Sequence, residues 1–342
     1  MKFKNRFRLN ALLFAAWLSS AAILFSGCAS PAATRAPAAG PATAAPSPTV
    51  AIRLVPTASP TAAAALPSAT PSASSNSGIP TRGGTPPLSP SKGQLTVLAT
   101  DLPSPDDLVL GPDGLVYFSD VADGTIKRLE SSGAVTLLLS GLSEPEGMVF
   151  LPDGSLIIAE QGKDRLLKYD LGAKQMSPLL QLENRTGQPG VDGIAWDPRS
   201  GTLLVPDSPN GRLLQVSADG KQTAMIASGF ARPTGAAVEA DGAILVVDEN
   251  GAALFRVARG TRSAPRVIDR LPVPDDVVIG SDGSIYVNTL NEGAVHRIDP
   301  ATGKDTVIVQ GLSNPQGIVL DAAGDLVIAD AGRHRLVRLA LR

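Results

Sequence analysis

Asp106, Glu146, Asp192 and Asp275 stand at the same place in four copies of a phrase that the chain repeats six times. The phrase is a Pro, a variable residue, a Gly or Asp, an apolar run, a turn carrying Asp-Gly, a second apolar run and an acid. Its copies begin at Pro105-Asp106-Asp107, Pro145-Glu146-Gly147, Val191-Asp192-Gly193, Pro233-Thr234-Gly235, Pro274-Asp275-Asp276 and Pro315-Gln316-Gly317. A feature shared by every copy builds scaffold, whereas a position that differs between copies is a candidate for chemistry. The residue before the Gly or Asp is such a position. If these side chains meet on one axis, two carboxylates about 5 Å apart at an effective dielectric near 20 repel by roughly 3 kcal/mol. Either some hold protons or a cation sits among them. Hard oxygen donors without His or Cys suit Ca²⁺, with Mg²⁺ or Mn²⁺ as alternatives. The bland alternative is that the acids fan outward into a wide, wet channel and pair with nothing.

The elements that must bring them together follow from the repeat. A period of roughly 40 to 45 residues is that of a propeller blade. In the second copy four strands are predicted, from Met148 to Leu151, Leu156 to Ala159, Leu166 to Tyr169 and Met176 to Leu182, the first two joined by the Pro152-Asp153-Gly154 turn. The first two strands are apolar throughout, which fits sheets covered on both faces. The sixth copy ends after three strands, and the segment from Leu95 to Leu102 resembles the fourth strands of other copies. The expected fold is therefore all-β, a six-bladed β-propeller whose N-terminal strand closes the last blade, and a monomer.

Two further positions read as scaffold. Asp120, Glu160, Asp207, Asp248, Asn288 and Asp330 fall at the end of the second strand, where a carboxylate or amide accepts hydrogen bonds from the neighbouring loop. Arg128, Lys168, Gln215, Arg256, Arg297 and Arg338 mark a solvated edge of the third strand. An outer ring of ligands at the strand-end position is the alternative, and on it Asn288 joins Thr234 and Gln316 as a candidate substrate contact. Of the two histidines, His296 aligns with apolar residues of other copies and reads as packed. His334 lies in the turn after the second strand of the last copy, on the face of the acid ring, and is a candidate general base or a solvated residue. There is no phosphate-cradling glycine loop, zinc spacing or Ser-His-Asp signature.

The repeated phrase, as in SEPEGMVFLPDGSLIIAE and SNPQGIVLDAAGDLVIAD, resembles the superfamily that joins gluconolactonase and senescence marker protein relatives with NHL-repeat propellers and strictosidine-synthase-like proteins. The resemblance covers essentially all of residues 94–342. It implies one divalent metal at the top of the channel, held by a Glu, an Asn and an Asp, each before the Gly of a different blade. Carried over, that role falls to Glu146 or Asp106, with Asp192 and Asp275. This chain departs from the pattern in having no Asn in the ring.

The first 93 residues read differently. Lys2, Lys4, Arg6 and Arg8 precede an apolar stretch from Ala11 to Phe25 and then Ser26-Gly27-Cys28, the layout of a secretory signal peptide. The Leu24-Phe25-Ser26-Gly27-Cys28 stretch resembles a bacterial lipobox, which implies removal of residues 1–27 and lipidation of Cys28, the chain's one cysteine. An ordinary signal peptide with an incidental cysteine is the alternative. Residues 28–93 form an Ala/Pro/Ser/Thr-rich linker without Asp or Glu, expected to be a disordered stalk. With Cys28 in lipid, the domain folds without disulfides. All 32 acidic and 22 of the 30 basic side chains follow residue 93, a net charge of −10 for the domain. That balance disfavours nucleic acid, which needs phosphate neutralisation. The expectation is an extracytoplasmic lipoprotein, at the cell surface or in the periplasm, held to a membrane through Cys28. Its propeller either hydrolyses a lactone or small ester, with a divalent cation polarising the carbonyl and a ring carboxylate such as Glu146, or His334, activating water, or, without catalysis, binds a protein or envelope glycan.

Overall fold

The computed structural model describes residues 93–342. Cys28, the signal sequence and the stalk lie outside the described residues. Twenty-four strands form six four-stranded antiparallel sheets. Blade 1 comprises Pro105–Leu110, Val116–Asp120, Thr125–Leu129 and Val135–Ser140. Blade 2 comprises Pro145–Phe150, Leu156–Glu160, Arg165–Asp170 and Gln175–Gln181. The predicted strands of that blade are thus found, with ends that differ by one to three residues: the first and fourth begin earlier and stop one residue short, at Phe150 and Gln181, and the second and third are longer. Among the described residues the only helical pieces are single 3-10 turns.

Closure is as the sequence predicts. Leu95–Ala99 pairs with Arg335–Leu339 and completes the last blade, with Leu95 opposite Leu339 and Val97 opposite Val337. The closed ring leaves only short strand edges. Its core is divided into six apolar clusters, each shared by two neighbouring blades. That explains why the second strand is apolar on both sides: Val116–Asp120, Leu156–Glu160 and Leu326–Asp330 are buried at every residue. The seam between last and first blades packs Phe118 and Leu108 against Val327, Ala329 and Leu336. Fully burying one such large side chain stabilises by about 1.5–3 kcal/mol.

The variable position is aimed inward by a β-bulge. In blade 1, Pro105 faces Asp120 and Leu108 faces Phe118, so Asp106 and Asp107 together oppose Ser119 alone. The same shift recurs in blades 2, 4, 5 and 6. A bulge of this kind bends the strand and re-aims its side chains. It also brings the first strands of neighbouring blades close together. A Cβ on Gly147 would lie 2.5 Å from the Asp192 carbonyl oxygen, and one on Gly193 would lie 2.6 Å from that of Thr234. Glycine is required there by crowding.

Blades 1 and 5 solve that crowding differently. Where the other blades have Gly, they carry Asp107 and Asp276, whose carboxylates accept the Met148 N–H at 2.6 Å and the Ile318 N–H at 3.1 Å from the next blade. Their own N–H groups donate to Ser119 Oγ at 3.0 Å and Asn288 Oδ1 at 2.9 Å. Other blades have Ala159, Pro206, Val247 and Ala329 in the place of Ser119 and Asn288.

Asn288 therefore does not end its strand. The second strand of blade 5 runs Ile285–Thr289, and Thr289, opposite Pro274, matches Asp120. The amide is therefore not a member of the acid series, whose place in this blade is one residue later, at Thr289. The architectural role given to the acids themselves is visible: Asp120, Glu160 and Asp330 accept the N–H groups of Ser104, Ser143 and Ser313 at 2.6–2.9 Å.

Candidate functional site

Asp106, Glu146, Asp192, Asp275 and Gln316 line one pit of about 350 Å³ on the face where the first strands begin. The four proposed ligands are brought together. Beneath them lies a second void of about 10 Å³, lined by Asp106, Asp192 and Asp275 and also by Asp107 and Asp276, which is about the room of one water. The acids form two tiers around one axis, of which the sequence comparison identified the upper.

The electrostatics follow from that crowding. Burial, reinforced by the charges of Asp192 and Asp276, raises Asp106 well above the usual carboxylate range. Burial, then Asp192 and Asp106, does the same to Asp275. Glu146 is raised by burial and by Asp192, to which it also hydrogen-bonds. In the lower tier burial raises Asp107 in spite of the Met148 N–H, and pushes Asp276 up to about 6 in spite of bonds from Ile318 and Val277. Asp275 has 9% of its surface exposed, and its carboxylate has neither a hydrogen bond nor an ion pair among the described residues. These groups hold protons to higher pH than free carboxylic acids do, or call for a positive partner.

One positive partner is built in. Arg232 Nη2 lies 2.7 Å from Asp192 Oδ2, and Nη1 contacts Glu249. Both Arg232 and Glu249 line the pit. The Arg232 N–H donates to Asp248 Oδ1 at 2.7 Å, and its carbonyl accepts the Glu249 N–H at 2.9 Å. This pair lies outside the variable position of the repeat, the residue before the Gly. The signal was present two residues earlier, where Arg232 stands against Ser104, Glu144, Gly190, Val273 and Asn314, and again one residue after the strand-end acid, where Glu249 stands against Val121, Gln161, Ser208, Leu290 and Ala331. Gln188 and Pro189 reach the pit wall from the long connection between blades 2 and 3.

The remaining candidates lie elsewhere. Thr234 is fully buried and donates its hydroxyl to the Asp275 carbonyl at 2.7 Å, so it holds the ring from behind. Asn288 is fully buried, and its amide donates to the carbonyls of Pro315 and Gln316. Gln316 alone of the three substrate-contact candidates faces the pit. His334 is exposed, and its Nδ1 lies 2.9 Å from the Pro103 carbonyl and 3.1 Å from that of Leu102, a tie across the ring closure. It is not among the residues of the pit wall. His296 is packed in its strand, as expected, with its ring nitrogens on Asp305 and Glu292.

The donor set fits a hard divalent cation in its chemistry, all oxygen and negatively charged, with one buried carboxylate left unpartnered. Its arrangement is incomplete: among the described residues no three His, Cys, Asp or Glu side chains stand together as a ready ligand group. Asp192, the acid that acts on every other member of the upper tier, is the one turned to Arg232.

Residues 191–341, from the start of blade 3 through blade 6, match the family model described as the SMP-30/Gluconolactonase/LRE-like region. A search of curated proteins finds no match. Among solved structures the chain is similar to a gluconolactonase from Xanthomonas campestris, at 17% identity and a TM-score of 0.62, covering 73% of this chain and 89% of that one. It is similar to a calcium-binding protein, regucalcin, from Agrobacterium tumefaciens, at 19% identity and a TM-score of 0.59, covering 71% and 92%. A virginiamycin B lyase from Staphylococcus aureus matches at 16% identity and a TM-score of 0.54, covering 69% and 80%. At these identities the likeness is one of fold.

Proposed function

We propose that this propeller, which carries the SMP-30/gluconolactonase-like region in blades 3 to 6, is a hydrolase of lactones or similar small esters that works at the top-face pit with a divalent cation. The observation that carries the reading is the group of Asp106, Glu146 and Asp275, three acids raised together in one pit. Asp106, Asp192 and Asp275 would hold the cation, and the hard-oxygen donors favour Ca²⁺. Bound there, a divalent cation polarises an ester carbonyl. Glu146 supplies the acid function: raised by burial and by Asp192, it holds its proton to higher pH than a free carboxylic acid does and would give it to a departing alkoxide. Gln316, on the pit wall, offers an amide to the substrate's hydroxyl or ring oxygen. Calcium binding by the regucalcin that shares the fold supports the choice of ion.

The location belongs to the same proposal. The Leu24–Cys28 stretch supports a lipid on Cys28, and the long linker would then hold the propeller away from the membrane. Growth with a clickable palmitate analogue should label the wild-type chain and leave Cys28→Ser unlabelled. Equal labelling of both would remove the anchor.

A non-catalytic propeller that binds a protein or envelope glycan is the second reading, and one observation favours it: Arg232 already occupies Asp192. The two readings separate on the chelator-stripped chain. Ca²⁺-dependent turnover of a small lactone, lost in Glu146→Gln, supports the hydrolase. Stabilisation by Ca²⁺ without turnover of any lactone or ester supports the binding module.

A further inference from the structure

We infer that Arg232 is a tethered counter-ion that competes with a soluble cation for Asp192 and so sets how readily the pit admits one. The inference rests on the pit being a cation site and adds a residue that controls it.

Arg232 is the one basic side chain on the pit wall among the described residues. It is anchored at its backbone, where Asp248 accepts its N–H and Glu249 donates to its carbonyl. Its side chain extends from that fixed root towards the pit. Two carboxylates are within reach, Asp192 from blade 3 and Glu249 from its own blade, and the guanidinium spans both. The third donor, Nε, is buried without an acceptor. The arrangement is a compromise between Asp192 and Glu249.

The compromise accounts for the incomplete ligand set. Asp192 is the ring member whose charge acts on Asp106, Glu146 and Asp275 alike. With Asp192 facing Arg232, no three acids stand together as a ready ligand group among the described residues. Arg232 can release Asp192 and still keep Glu249, so admission of a cation does not strand a buried guanidinium. Two states result. In one, Arg232 bridges Asp192 and Glu249 and the ring is partly neutralised from within. In the other, Arg232 rests on Glu249 and Asp192 turns to the cation.

The test is calorimetric titration of Ca²⁺ into the chelator-stripped, full-length chain, with the Arg232 Nε–H resonance followed by NMR. Arg232→Gln should tighten Ca²⁺ binding at least tenfold. Arg232→Lys keeps the charge but cannot fork between two carboxylates, and should tighten it by a smaller factor, so the outcome stays readable if the Gln variant folds poorly. Glu249→Gln removes the resting partner and should weaken binding. In the wild type the Arg232 Nε–H signal should move as Ca²⁺ saturates. Equal Ca²⁺ affinity in wild type, Arg232→Gln and Arg232→Lys, or an Nε–H signal unmoved at saturation, would overturn the inference and leave the cation site standing. If neither the wild type nor any Arg232 variant binds a divalent ion, the cation reading fails and the inference with it.

Discussion

The two faces of the ring use the same acidic residues to opposite effect. On the face away from the pit, each hairpin turn between first and second strands carries an acid, and in most blades a basic residue of the third strand clamps it. Lys168 Nζ lies 2.9 Å from Asp153, Arg297 lies 3.2 Å from Asp282, and Arg338 lies 2.9 Å from Asp321. Asp153 is lowered by its bond from Lys168 and by the Ser155 N–H, and Asp282 by Ser284 and then Arg297. In the pit, burial and mutual repulsion raise Asp106, Glu146, Asp275 and both lower-tier acids, and Arg232 is the one basic side chain on the wall. The contrast separates scaffold from site by electrostatics alone. Repeated acids are paired locally, whereas the acids that vary from copy to copy are left facing one another.

Substitutions on each face test the contrast. The largest effect is expected on turnover. Glu146→Gln removes the acid function and should lower kcat for lactone hydrolysis by about 10²–10⁴-fold, the usual range for a general acid, with little change in melting temperature. A loss below tenfold would remove Glu146 from the chemistry.

Next is the pH dependence of stability. A carboxylic acid with a raised pKa in the fold binds its proton more tightly there than in the unfolded chain. Its penalty is absent below the unfolded pKa and grows until pH passes the folded value. For Asp276, moving from 3.8 unfolded to about 6 folded, this amounts to about 3 kcal/mol lost between pH 4 and 6. Urea unfolding of the chelator-stripped chain should show stability falling across that window, and Ca²⁺ should restore it at pH 7.5. A flat or rising profile would contradict the raised pit.

Asp275→Asn is a narrower probe, because that carboxylate has no hydrogen bond to lose. It should stabilise the metal-free chain at pH 7.5 by on the order of 1–3 kcal/mol, the scale of one carboxylate repulsion, have little effect at pH 4 and weaken Ca²⁺ binding. The smallest effect is expected on the opposite face, where Lys168→Ala should cost about 0–1 kcal/mol at neutral pH. There the sign reverses: Asp153 is lowered in the fold, so its contribution is present above the unfolded pKa and fades as pH falls through the folded value. A Lys168→Ala cost as large as the gain from Asp275→Asn would erase the difference between the faces.

The repeat made the fold legible, because six copies define both the blade and the missing strand that Leu95–Ala99 supplies. It also exposed the upper ring, since a variable position inside a constant phrase marks what the scaffold does not dictate. The same habit of comparing one column hid the rest. Asp107 and Asp276 read as tolerated replacements for Gly, though their carboxylates bind the next blade and form a lower tier. Asn288 passed for an acid's substitute, when it pairs with Asp276 just as Ser119 pairs with Asp107. Arg232 comes from a loop outside the phrase, and only the packing of neighbouring blades brings it across to Asp192 in the preceding blade. His334 sits on the expected face but spends its ring nitrogen on the closure seam, a distance from the axis that no linear pattern encodes.

The central claim is that the pit acids repel one another and answer to a positive guest. It is tested most directly by titrating the ¹³C-carboxyl resonances of the pit, with and without Ca²⁺. Asp276 should titrate at about 6, with Asp106 and Asp275 also above the usual carboxylate range, and Ca²⁺ should lower Asp106 and Asp275 together. Pit carboxyls that titrate near 4 and ignore Ca²⁺ would contradict the account.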